Sequence, residues 1–265
     1  MQTLAATDRL VIAGTELRSR LFLGTGKYRT DQEMLDSLTA SGAELITVAL
    51  RRLDLDDPAK RTLLDAIDWQ RYRILPNTAG CPTAEEAIRI ARLARSMGLS
   101  DWVKLEVIPE GSHLLPDPVD TLKAAEVLAA EGFKVLAYMN ADPVLARRLE
   151  AIGAAAVMPL GSPIGSGQGL VTQRQIEMII QAAGVPVVVD AGIGSPSDAA
   201  LAMELGADAV LVNSAVALAR QPALMADAIR LGVEAGRKGF LAGRIPRRDD
   251  ARASSPSEGI SPGPR

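Results

Sequence analysis

The chain of 265 residues has one cysteine and one histidine, and both scarcities exclude chemistry. A lone Cys81 cannot form an intramolecular disulfide, which fits a reducing, cytoplasmic setting, and it leaves no cysteine pair to store sulfur. Cys81 reads as packing. His113, in a loop between Pro109 and Pro116, reads as a surface contact and cannot belong to a histidine metal cluster. Walker loops, a strand-linked GxGxxG and clustered Cys/His spacing are all absent, so neither a cofactor nor a metal is implied. Gly24-Thr25-Gly26-Lys27 lacks the full spacing and the following Ser/Thr of a phosphate loop.

Excess charge of one sign is missing as well. The formal net charge is −3, without the basic surplus that holds nucleic acid or an anionic membrane. The first residues lack a basic segment followed by an apolar block, so no signal peptide is expected. The longest uncharged stretch, 151–173, contains Pro159, Gly161, Pro163, Gly165, Gly167 and Gly169, which would leave backbone groups unpaired in lipid. It reads as a strand and a glycine-rich loop.

What is present is a large apolar fraction, 48 %, arranged with a regular beat. Val11 and its neighbours flank Ala13-Gly14-Thr15 as a short opening hairpin. Apolar runs then recur at 21–23, 45–50, 73–76, 103–108, 135–139, 155–159, 187–189 and 209–212. Helical periodicity lies between them at 61–68, 87–97, 120–130, 143–152, 173–182, 197–205 and 222–235. Thr83 with Glu86 forms a capping sequence, and Asp142-Pro143 and Gln221-Pro222 pair a polar cap with a first-turn proline. Gly132, Gly153, Gly184 and Gly206 stop helices. Eight strand–helix units make the class α/β and favour a (β/α)8 TIM barrel over an open sheet. The barrel is expected over 1–243 as one domain with its N-terminal hairpin, and 244–265 as a flexible C-terminal tail.

The segment Trp102-Val103-Lys104-Leu105-Glu106-Val107-Ile108 carries the most chemistry. In a strand, Lys104 and Glu106 share one face while Val103, Leu105 and Val107 share the other. If both faces are buried, the lysine and glutamate project into an enclosed space, either as a structural ion pair or as an amine nucleophile with a carboxylate for proton transfer. Bringing a lysine from its ordinary pKa to near 7 takes about 4.6 kcal/mol, and an ionised Glu106 opposes it. The two therefore read as a coupled proton-transfer unit.

Barrel active sites form where strands end. Asp190 ends the seventh run, as an active-site acid or as a turn cap, and Asn213-Ser214 ends the eighth. Glycine-rich turns after runs six and seven, with a helix opened by Ser195-Pro196-Ser197, suggest backbone N–H groups for a phosphate.

Taken together, Leu23-Gly24-Thr25-Gly26-Lys27-Tyr28, Thr47-Val48-Ala49-Leu50-Arg51-Arg52, Leu75-Pro76-Asn77-Thr78-Ala79-Gly80-Cys81 and Val103-Lys104-Leu105-Glu106-Val107 resemble bacterial thiazole synthase. So do Met158-Pro159-Leu160-Gly161, Val189-Asp190-Ala191-Gly192-Ile193-Gly194 and Ala242-Gly243-Arg244. The departures are Leu50 for an expected valine, Ser214 for a common threonine, and an unusual tail. The resemblance implies an enzyme of thiamine biosynthesis. Such an enzyme condenses 1-deoxy-D-xylulose 5-phosphate, dehydroglycine and sulfur, the sulfur arriving as the C-terminal thiocarboxylate of a ubiquitin-like sulfur-carrier protein. It implies that Lys104 forms an imine with the sugar ketone and that Glu106 and Asp190 move protons. Gly165, Ala191, Gly192, Asn213 and Ser214 would hold the phosphate, in a homo-oligomer that is a tetramer in the family. Two other readings use the same residues: a Schiff-base aldolase acting on a phosphorylated sugar, and a non-catalytic phosphate-binding barrel serving as scaffold or sensor.

Overall fold

In a computed structural model of the chain, residues 8–50, 66–252 and 254 are described. β1 (Leu10–Ile12) and β2 (Thr15–Leu17) form the antiparallel hairpin, with left-handed Ala13 and Gly14 at its turn. The chain continues through β3 (Leu21–Gly24), α1 (Asp31–Ser41), β4 (Leu45–Ala49), β5 (Arg73–Asn77), α2 (Ala84–Ser96) and β6 (Trp102–Leu105). Next come α3 (Pro118–Ala130), β7 (Lys134–Met139), α4 (Pro143–Ala151), β8 (Ala156–Pro159) and α5 (Gln173–Ala182). The last elements are β9 (Val188–Asp190), α6 (Pro196–Glu204), β10 (Ala209–Val212), α7 (Ser214–Ala217) and α8 (Pro222–Ala242).

Eight parallel strands pair in the order β8-β7-β6-β5-β4-β3-β10-β9. Parallel bridges Val157↔Val187 and Leu160↔Asp190 join the two ends, so the sheet closes into the expected (β/α)8 barrel. Alternation along each strand divides the core. Leu21 and Leu23, Ile46 and Val48, Val103 and Leu105, and Val210 and Val212 face the helices, while Phe22, Leu45, Trp102, Leu136 and Leu211 fill the barrel. Leu10, Ile12 and Leu17 of the hairpin join that interior cluster and plug the barrel at the strand starts. Asp8 secures the plug between Arg20 and Arg237 of α8, and these guanidiniums, Arg237 foremost, hold its carboxyl below the usual range. Among the described residues no helix is long and apolar enough to cross a membrane.

Local structure departs from the sequence expectations in three places. α1 was not anticipated, although Thr30 caps it by accepting from Glu33 N, the signature Thr-x-x-Glu. β6 stops at Leu105 instead of Ile108, because beyond it the Glu106 N–H turns to Thr78 Oγ1 (2.8 Å) and leaves the ladder. The helix expected at 61–68 falls mostly outside the described residues. α8 runs through Gly236 to Ala242, seven residues past its expected end at Ala235.

The reason for this last difference is packing. A Cβ on Gly232 would sit 2.5 Å from the Pro196 carbonyl oxygen, and one on Gly236 would sit 2.9 Å from Ala200 Cα. These two glycines, four residues apart on one face, let α8 lie against α6. Gly236 is thus a contact residue, not a stop. Gly236→Ala tests the sign of this claim. Helix propensity alone favours alanine by about 1 kcal/mol, whereas overpacking costs about 1–3 kcal/mol. We expect a lower melting temperature in the variant, and a rise would mean that the helices part without cost.

Candidate active site

At the strand starts the barrel interior is apolar, and toward the strand ends it becomes polar. Thr47, Asn77, Lys104, Glu106, Asp190 and Asn213 all border one cavity of about 960 Å³ at this mouth. The inward alternation predicted for Lys104 and Glu106 therefore delivers both side chains to the cavity. Asp190, the last residue of β9, reaches the same point from across the closure.

The three charges form one buried cluster. Lys104 Nζ lies 3.1 Å from Glu106 Oε1 and 2.6 Å from Asp190 Oδ2, with each side chain only 5–6 % exposed. The Asp190 contact is an ion pair off the line of a hydrogen bond. Burial works to lower the Lys104 pKa, but the carboxylates of Asp190 and Glu106 outweigh it, and the amine sits above its ordinary value. Burial pushes the Asp190 carboxyl up, and the neighbouring lysine only partly pulls it back. An ammonium is thus held beside a carboxylate that has become a better proton acceptor. Glu106 is fixed through its backbone, since Thr78 Oγ1 accepts from its N–H and donates to its carbonyl (2.7 Å). Thr78 does so from the end of β5.

The other wall of the cavity is made of loops. An atom placed as a Cβ on Gly165 would lie 3.8 Å from both Lys27 Nζ and Ser214 Oγ, so the loops after β3, β8 and β10 converge there. Lys27 adopts a left-handed φ of 72°, uncommon outside glycine, and its ammonium is in no ion pair among the described residues. With its amide nitrogen turned to the β3 loop, Asn213 donates to Gly26 O (2.9 Å) and Gly24 O (3.3 Å). Its side chain is a clip for that loop, which leaves backbone and Ser214 to face the cavity. Ala191 and Gly192 are successive left-handed residues. A side chain at Gly192 would collide with Ser162, so a bulky residue there disrupts the loop itself, not only a ligand's approach.

All eight site residues expected from the sequence line this cavity. One expectation is corrected. The start of α6 is no open anion site, because Asp198 Oδ2 already accepts from Gly194 N (2.9 Å) and Ser195 N (3.0 Å) in a capping box. Sequence reasoning also set aside Lys27 on the test for a phosphate loop. The available signal was simpler, namely its place just past the end of β3. His113 is exposed, 3.4 Å from Glu110, and Cys81 is buried.

The family model described as thiazole biosynthesis protein ThiG matches residues 11–256. Thiazole synthase from Synechococcus sp. (strain CC9605) is 58 % identical, over 98 % of this chain and 97 % of that protein. Thiazole synthase from Syntrophobacter fumaroxidans is 60 % identical, over 95 % of this chain and 98 % of that protein. A chain in the crystal structure of the Amycolatopsis orientalis BexX/CysO complex superposes with a TM-score of 0.81 at 36 % identity, covering 91 % of this chain and 98 % of that one. With a barrel whose mouth carries a buried lysine between two carboxylates, and with relatives matched over nearly their full length, the chain belongs to the thiazole synthase (ThiG) family, enzymes of thiamine thiazole formation.

Proposed function

We propose that Lys104 forms an imine with the ketone of 1-deoxy-D-xylulose 5-phosphate, and that the enzyme then joins this adduct to dehydroglycine and to sulfur from a carrier-protein thiocarboxylate. The observation that carries the reading is the Lys104 ammonium in contact with both Glu106 and Asp190 at the closed end of the cavity. Transfer of the ammonium proton to either neighbouring carboxylate, Asp190 or Glu106, frees the amine lone pair. The amine adds to the carbonyl carbon, and the oxygen leaves as water with two protons. The iminium withdraws electrons from the adjacent C–H bond. A carboxylate takes that proton, and its return at the neighbouring position moves the carbonyl along the chain.

The phosphate belongs at the opposite wall, near Gly165, Ala191, Gly192, Asn213 and Ser214, where backbone groups and the Lys27 ammonium meet. Support for a protein partner comes from the solved relative, which is one member of a two-protein complex. A carrier C-terminus would enter the mouth as an extended peptide, with the exposed segment after α8, including Arg244, Arg247 and Arg248, on hand to receive it. A homo-oligomer is part of the same proposal. A Schiff-base aldolase would use the lysine and the phosphate wall equally, and it is separated from the synthase by its independence of any carrier.

Borohydride reduction with the sugar phosphate should add mass to the Lys104 peptide, and Lys104→Ala should abolish it. Glu106→Gln and Asp190→Asn should still trap adduct but lose about 100-fold or more in thiazole turnover, the low end for general acid–base groups. Adduct at Lys27 or Lys134 would overturn the assignment, and near-normal turnover in both acid variants would make the acids structural.

Lys27→Met removes the charge at the phosphate wall. Loss of a charged hydrogen bond of about 1.5–3 kcal/mol should raise KM for the sugar phosphate by about 10–100-fold with little change in kcat. An unchanged KM would place the phosphate elsewhere.

Reconstitution with sugar phosphate and dehydroglycine decides the sulfur source. Product is expected with carrier thiocarboxylate and not with the plain carboxylate. Equal yields from the two, without another sulfur donor, would sink the synthase reading.

A further inference from the structure

Tyr138, on β7, is fully buried, and its hydroxyl has no hydrogen-bond partner among the described residues. The register Leu105↔Ala137, continued by one residue, sets Tyr138 beside Glu106, which follows the end of β6. Lys104 Nζ stands 5.5 Å from the centre of its ring, within range of a cation–π contact. Tyr138 clusters with Ile108 and Leu160, against which Ile164 and Ala191 pack, and three of these four also border the cavity.

A hydroxyl buried without a partner is destabilising, and phenylalanine would fill the same space without that cost. At the other end of the barrel interior the chain does use phenylalanine, the fully buried Phe22. Tyrosine at the level of the reacting lysine therefore calls for a reason beyond packing.

We propose that Tyr138 is a positioning residue of the active site: its ring supports the Lys104 cation, and its hydroxyl donates to an oxygen that the substrate brings. The ring meets a cation before reaction, as ammonium, and again after it, as iminium, so its quadrupole favours both charged forms. The hydroxyl is satisfied only in the complex, which shifts that hydrogen bond from the free enzyme to the bound state. The hydroxyl half of the proposal rests on the imine reading above; the ring half does not.

Two variants separate the halves. Tyr138→Phe keeps the ring, and Tyr138→Leu removes it, with Tyr138→Met in reserve if the leucine variant does not fold. Three charged or titratable groups face one another here: Glu106 just past β6, Asp190 from β9 and Tyr138 itself around Lys104. Carbamoylation of Lys104 by cyanate, followed across pH by mass spectrometry of its peptide, reports the neutral amine without any sugar. The reactive limb should move to lower pH by about half a unit in Tyr138→Leu and stay put in Tyr138→Phe. Tyr138→Phe should also melt about 2–4 °C higher than wild type while thiazole turnover falls about tenfold. An unmoved limb in Tyr138→Leu overturns the ring's role. A lower melting temperature, or unchanged turnover, in Tyr138→Phe overturns the hydroxyl's. Failure of the imine reading itself would show separately, as absence of a borohydride-trapped adduct in the wild type.

Discussion

One ammonium and two carboxylates sit together, nearly closed to water, at the polar end of a barrel whose other end is apolar. Taking such charges out of water costs several kcal/mol each, and only close pairing returns it. The cluster carries one negative charge more than positive, so the pairing is incomplete. Burial, with the Glu106 carboxylate adding to it, pushes the Asp190 carboxyl upward, toward sharing a proton with the lysine. Pairing and proton transfer thus depend on the same contact. The arrangement holds only because β6 and β9, distant in the sheet order, are brought to the same mouth by barrel closure.

The remaining architecture keeps that contact fixed and accessible. Below it, the hairpin plug and the apolar interior close the barrel, and Asp8 locks the plug to Arg20 and Arg237. Beside it, Thr78 clamps the backbone of Glu106 from β5. Above it, loops from four strand ends interlock. The Asn213 amide ties the β3 loop, and Gly169 N donates to Gly192 O (2.8 Å) across the β8 and β9 loops. A site whose reacting groups lie on strands and whose ligand wall lies on mutually braced loops is preorganised without being sealed.

Several glycines in this chain serve contact and not flexibility. Gly232 and Gly236 bring α8 against α6, and that apposition in turn presents Arg237 to Asp8. Gly192 sits against Ser162 for the same kind of reason. Local signals mislead at Gly236, where a glycine just past the helical pattern of 222–235 reads as an end until its neighbour across the interface is known.

The sequence by itself determined the barrel, because strand and helix periods alternate regularly and right-handed crossovers leave few topologies. It also determined which residues could be catalytic, since alternation alone sets Lys104 and Glu106 on one face and strand ends alone bring Asp190 and Ser214 to the mouth. Only the tertiary structure decided the rest. Contact of Lys104 with Asp190 and the arrival of Lys27 at Gly165 both join groups far apart in sequence. The burial of the Tyr138 hydroxyl is of the same kind. Period and composition act within a single element. Distances between elements arise from packing, and packing is settled only when every face is filled at once.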